Sequence, residues 1–204
     1  MIKVVVFDFD DTLYNTDVWY KWPEFCDTAI RKCLVGYGES QIIEFIEKYD
    51  LINACNGNAI AEALIKETGN DKAWEKLRDK LYAEAKGVKF ANNDIIRKFS
   101  ESFDLFIVSF SPVSFIEYYS NKYNFDLSVF KQIIGSDKNQ CENNKRKVFE
   151  QIIKESNIKP NEMCVIGDNY LRDIMPAKDL GCEAIQVSNI DEISENLLKI
   201  VQNM

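Results

Sequence analysis

Hydrophobic and polar positions follow three patterns along the 204-residue chain. The run Val4-Val5-Val6-Phe7 is short, continuous and rich in β-branched residues, and acidic turn residues stop it, which predicts a strand buried on both faces. From Pro23 to about Lys86 the apolar spacing becomes helical, with helices expected over 24–35, 39–52, 59–68 and 72–86. Pro23 suits an opening turn, Asn56-Gly57-Asn58 reads as a turn between helices, and Gly69 and Gly87 close the last two. Beyond Gly87 the patterns alternate: helix 93–102, strand 105–108, helix 113–123, a short strand at Ile133-Ile134, helix 145–156, strand 163–166, helix 171–180, strand 184–187 and a closing helix over 191–202.

Strands alternating with helices predict a parallel sheet covered on both faces, and the first strand, with no helix of its own, belongs with that sheet. The expected fold is α/β: a doubly wound parallel-sheet core from residues 1–14 and 90–204, carrying a helical insertion over 15–89.

Composition then narrows the chemistry. The chain has no histidine, which excludes Ser-His-Asp and Cys-His hydrolases, HExxH zinc enzymes and His-ligated haem. With 25 Lys+Arg against 33 Asp+Glu, the net charge of −8 argues against nucleic-acid backbones and anionic lipid as partners. Six cysteines with no CxxC pair read as reduced packing residues. Val4–Phe7 is too short for a secretory or membrane-spanning segment, so the expected location is cytoplasmic. The sequence sets no oligomeric state.

Ligands of parallel α/β sheets bind beyond the carboxyl ends of the strands, so the residues following each strand are the candidates. Asp8 and Asp10 follow the first, about 7 Å apart and facing one way in extended backbone. Two such carboxylates can divide nucleophile and acid–base roles or share a cation; they can equally form an acidic turn. Ser109-Phe110-Ser111-Pro112 follows the second run, where a hydroxyl beside helix-entering amides can hold a phosphate oxygen or simply cap the helix. Gly167-Asp168 follows strand 163–166, and Asp173 stands in the next helical turn, where the helix dipole also favours an acid. Lys145-Arg146-Lys147 opens a helix at the end where the dipole opposes cations, so it marks either function or a solvated face.

Together these pieces resemble the haloacid dehalogenase-like superfamily. Val4 through Leu13 is similar to its first motif, hhhDxDx[TV]; Phe106-Ile107-Val108-Ser109 to its second; Lys145 to its third; and Gly167-Asp168 through Asp173 to the GDxxxxD form of its fourth. The resemblance implies a Rossmann-like core with a helical-bundle cap. It implies Asp8 as a nucleophile forming an aspartyl-phosphate and Asp10 as general acid and then base. Ser109, Phe110 and Lys145 would bind the phosphoryl group, with Lys147 as the alternative cation. Mg²⁺ would be held by Asp8, the Asp10 carbonyl and Asp168, supported by Asp173. Phe110 stands where the family often has Asn or Gly. Dehalogenases and phosphonate hydrolases of the group lack an Asp at the position of Asp10, and its ion-pumping ATPases carry Thr there. Asp10 therefore implies a phosphatase of small phosphorylated metabolites or a phosphomutase; a non-catalytic binding protein on the same fold is the alternative from another class. Trp19, Tyr20 and Trp22, where the chain leaves the core, would pack the junction or shape the pocket.

Overall fold

In the computed structural model, Val4–Phe7 forms β1, the middle strand of a five-stranded sheet. The structure describes residues 1–16, 22–49, 63–64, 66–69, 76, 83, 86–136 and 145–193. The other sheet strands are β4 (Asp104–Val108), β5 (Gln132–Ile134), β6 (Met163–Gly167) and β7 (Glu183–Gln186), in the order β5-β4-β1-β6-β7 with every pair parallel. The doubly wound α/β core expected from the alternating pattern is the fold observed. The chain steps outward from β1 to β4 and β5 on one side and to β6 and β7 on the other, so the direction of winding reverses at β1. That reversal opens a crevice at the carboxyl end of the sheet.

The register decides what lines the crevice. Phe7 pairs with Ile107 on β4 and with Ile166 on β6, so the three central strands end nearly level. The Asp8 amide continues the ladder, donating to the Ile166 carbonyl at 2.9 Å. Asp8, Ser109 and Asp168 thus leave the sheet at one edge. β1 is buried along its whole length, which accounts for its unbroken apolar run.

The helices of this unit are α3 (Asn93–Ser100), α4 (Val113–Lys122), α5 (Arg146–Glu155) and α6 (Met175–Asp179); α1 and α2 belong to the insertion. The Asn92 side chain caps α3 by accepting from the amides of Asp94 and Ile95. On α5, Val148, Phe149 and Ile152 sink into a cluster with Val4, Val6, Phe106, Val108, Met163 and Val165. Cys164 and Cys182 are buried free thiols beside that cluster.

Three local features depart from the sequence pattern. The helix expected from 171 begins instead as a π-helical turn, Tyr170–Ile174, and becomes α-helical only at Met175. Pro176 has no amide to give to Arg172, so the regular ladder cannot run through this point, and the Ile174 amide reaches Asn169 O five residues back at 3.4 Å. Second, the helix expected over 39–52 ends at Lys48, with Tyr49 as its cap. Third, a two-stranded ribbon goes unpredicted, because two-residue strands carry no periodicity: β2 (Tyr14–Asn15) pairs antiparallel with β3 (Lys89–Phe90). Asp11, at φ +54°, lies in the tight turn leading into the ribbon, and Asn15 Nδ2 donates to its carboxylate at 2.7 Å.

An aromatic cluster anchors the ribbon. Phe9 stacks on Tyr14 at 5.3 Å, Phe90 stacks on Phe125 at 4.9 Å, and Phe115 meets both Phe9 and Tyr14 edge-on.

The chain divides into two compact units, residues 1–15 with 89–204, and residues 16–88. In the second, α1 (Trp22–Cys33) and α2 (Glu39–Lys48) bury Ile30, Leu34, Ile42 and Phe45, and Arg31 joins them through Asp27 and Glu39, the latter at 2.6 Å. Residues 63–64 and 66–68 are helical, as are 76 and 83, and Gly69 and Gly87 take positive φ where those helices were expected to stop. The readings at Trp19, Tyr20 and residues 56–58, the side chain of Trp22, and most of the closing helix over 191–202 lie outside the described residues. Among the described residues, no helix is long and apolar enough to cross a membrane.

Phe115→Ala removes a buried ring from the aromatic cluster and is expected to lower unfolding free energy by about 3 kcal/mol or more. A urea titration followed by circular dichroism checks this.

Candidate active site

Lys145 is the N-cap residue of α5, a position where Ser, Thr, Asp or Asn normally serves the exposed amides. Its side chain is instead 1% exposed and runs back to the sheet edge. The ammonium contacts Asp8 Oδ1 at 2.5 Å and Asp173 Oδ1 at 2.7 Å. Burial by itself would drive the amine toward neutrality, but Asp173 and Asp8 more than offset it and hold its pKa above the ordinary lysine value. Lys147, the alternative cation, is exposed on the helix surface. Lys145 therefore fills the site.

Asp8 is almost fully buried, and burial raises its pKa well above the usual carboxylate value. Lys145 pulls it down, while Asp173, Asp10 and Asp168 push it further up. Asp168, at the end of β6, is raised by burial as well, and Gln186 Nε2 holds its carbonyl at 2.8 Å.

Asp173 owes its inward aim to the π turn. The Asn169 amide donates to Asp173 Oδ2 at 3.1 Å, and the Asn169 side chain caps the turn through the amides of Leu171 and Arg172. Gly167 leaves the room: a Cβ there would lie 2.5 Å from Asp173 Oδ2 and 2.7 Å from its Cβ and Cγ. The contact of Asp173 Oδ1 with Lys145 is an ion pair without hydrogen-bond alignment, so this buried oxygen accepts no hydrogen bond among the described residues.

Asp10 is held on the other side. Its Oδ2 accepts from Ser109 Oγ at 3.0 Å and from Ser111 Oγ at 2.8 Å, and the Ser111 amide donates to Ser109 Oγ at 2.8 Å. Its Oδ1 is buried with no partner among the described residues. Burial raises the Asp10 pKa, and the two hydroxyls only partly oppose that shift. Ser109, expected at the phosphoryl group, thus spends its proton on Asp10 here. Phe110 offers no polar side-chain atom; its ring lies against Lys145 and Arg172, so any anion contact from this residue falls to its amide.

The structure therefore gathers Asp8, Asp10, Ser109, Phe110, Lys145, Asp168 and Asp173 at one strand edge. Sequence reasoning missed Ser111, Asn169 and Asn15. Ser111 lay in the quoted Ser109-Phe110-Ser111-Pro112 segment, two residues from the first hydroxyl and so on the same side of an extended chain.

The residues present fit a divalent cation. Asp8, Asp168 and Asp173 each bring a carboxylate oxygen within 4.8 Å of the others. Charges about 4 Å apart repel by about 4 kcal/mol at an effective dielectric near 20, and a single ammonium cannot balance three carboxylates. The raised pKa values of Asp8 and Asp168 and the orphaned Asp173 Oδ1 express that deficit of positive charge. An all-oxygen, carboxylate-rich set suits Mg²⁺ rather than a soft metal.

A family model described as haloacid dehalogenase-like hydrolase matches residues 2–181. No curated protein matches the chain. Several solved structures share the fold. A phosphatase of this group from Thermococcus onnurineus is 19% identical, with a TM-score of 0.65 and 98% of each chain covered. A 2-haloacid dehalogenase from Pseudomonas syringae is 16% identical, at 0.59, with 98% of this chain and 100% of that one covered. A family enzyme from Bacteroides thetaiotaomicron, an Asp-to-Ala mutant in complex with magnesium and inorganic phosphate, is 16% identical, at 0.55, with 93% and 95% covered.

Gly167→Ala is expected to displace the Asp173 carboxylate from Lys145, costing about 1–3 kcal/mol in thermal or urea unfolding. A second expectation concerns pH. A carboxyl with a folded pKa above its unfolded value binds the extra proton in the folded state, so its contribution to stability is lost as pH rises between the two. Asp8, Asp10 and Asp168 are raised above 3.8, and Asp11 rises from 3.8 to about 7 through burial and the nearby Asp168 and Asp10. Metal-free protein should lose stability as pH climbs from about 4 through about 7, and Mg²⁺ should raise Tm more at about pH 8 than at about pH 5. Calorimetry with and without Mg²⁺ checks both.

Proposed function

The chain belongs to the haloacid dehalogenase-like hydrolases, and on that premise we propose that it is a Mg²⁺-dependent cytoplasmic phosphatase that hydrolyses small phosphorylated metabolites through an aspartyl-phosphate on Asp8. One observation carries the reading within a fold that dehalogenases share: the setting of Asp10. Its carboxylate is oriented by Ser109 and Ser111, raised in pKa by burial, and placed two residues from Asp8. A carboxyl so held can keep a proton until a leaving group needs it. Displacement of halide needs no such proton.

Asp8 attacks phosphorus, the P–O bond to the leaving alkoxide breaks, and Asp10 delivers its proton to that oxygen. Asp10, now a carboxylate, takes a proton from water as the water attacks phosphorus. Inorganic phosphate leaves and the Asp8 carboxylate is restored. Lys145 keeps Asp8 ionised and offers positive charge to the transferring group. Asp8, Asp168 and the Asp10 carbonyl would hold Mg²⁺, with Asp173 in support, and the bound ion would neutralise charge on the phosphoryl oxygens. The unit over residues 16–88 would act as the cap that closes the pocket to bulk water.

The test is phosphate release from p-nitrophenyl phosphate and a panel of phosphorylated metabolites with Mg²⁺. Asp8→Asn should reduce release to background. Asp10→Asn should slow it by about 10²- to 10⁴-fold. Substantial Mg²⁺-dependent turnover by Asp8→Asn would overturn the mechanism.

A further inference from the structure

Arg172 carries a charge that the proposed reaction does not use. It sits on the π turn beside Asp173, its amide donates to Asn169 Oδ1 at 3.1 Å, and its carbonyl accepts from the Lys145 amide at 3.4 Å. Its guanidinium carbon lies 5.2 Å from the centroid of the Phe110 ring, and Lys145 Nζ lies 5.6 Å from the same centroid. One aromatic ring therefore connects the ammonium that touches Asp8 with a guanidinium, and these two distances keep the cations within about 11 Å of each other.

The guanidinium is also unsatisfied. Arg31, Arg97 and Arg146 each pair with carboxylates: Asp27 and Glu39, Asp126, and Glu150. Among the described residues Arg172 pairs with none, although it is half-buried in a chain of net charge −8. Stacking over Phe110 fixes the plane of the group and leaves its N–H edge available, the geometry that recognises a carboxylate or phosphate through two parallel hydrogen bonds. The presence of Phe110 beside Ser109, where the family often has a small or amide residue, then has a use: the ring is the platform for this arginine.

We propose that Arg172 binds a second anionic group of the substrate, a carboxylate or a second phosphate, and so selects short phosphate esters that carry one. The inference rests on the phosphatase reading and narrows its substrate class. A guanidinium that served only to cover Lys145 would affect all esters alike, whereas a recognition group separates them.

The experiment compares wild-type, Arg172→Gln and Arg172→Lys proteins, with Mg²⁺, on two matched pairs of short alkyl phosphates. One pair differs by a terminal carboxylate and the other by a second phosphate. Wild type should favour the anion-bearing member of one pair by kcat/KM, and that pair identifies the group. Arg172→Gln should reduce the preference about 10- to 100-fold, chiefly through KM. Arg172→Lys, which keeps the charge and loses the fork, should retain part of it. A wild-type enzyme with no preference in either pair overturns the inference, as does an Arg172→Gln variant that slows both members of each pair equally; in both cases the phosphatase reading stands. Absence of hydrolysis of every ester by wild type overturns that reading and the inference with it.

Discussion

A single buried ammonium holds the site together. Lys145 draws Asp8 from the end of β1 and Asp173 from the turn after β6 onto one nitrogen, at 1% exposure. A lysine stays charged at that depth only because carboxylates flank it, and the carboxylates tolerate burial only in its presence. Removing one member of such a group leaves an uncompensated buried charge, a loss of about 3–5 kcal/mol. The start of α5, the end of β1 and the π turn are therefore mutually dependent, and the phosphoryl site forms where they meet. The same ammonium balances only part of the negative charge, and the remaining deficit makes the site a receptor for a divalent cation.

Strand register supplies the other half of the arrangement. Because Phe7, Ile107 and Ile166 lie side by side, the residues that follow three separate strands emerge within reach of one another. Asp10 and its two serines come from segments about 100 positions apart in sequence, and the level strand ends bring them together. The sheet needs no catalytic contact of its own; its part is alignment.

Much of this was legible in the residue pattern, for identifiable reasons. Strands buried on both faces show as unbroken apolar runs, so β1, β4 and β6 and the residues leaving them could be placed. Lys145 could be singled out because a cation at a helix N-terminus runs against the local electrostatics. The pairing of Ser111 with Asp10 was hidden, since it depends on a register that no local periodicity encodes. The ribbon of Tyr14–Asn15 with Lys89–Phe90 was hidden too, being held by aromatic packing across the ends of a long insertion rather than by strand-forming sequence. The π turn left one trace, Pro176, which marks where a regular helix cannot pass.

That turn makes the segment after β6 a device that counts residues. Restoring a regular helix by deleting one residue between Asn169 and Pro176 would rotate everything downstream by about 100°. Ile174, Pro176 and Ala177, now packed inward, would swing out of phase with the core. Amino-acid replacements along this stretch can be absorbed one at a time, but a change in its length cannot. Insertions and deletions are therefore shut out of a surface turn that sequence alone would present as freely variable.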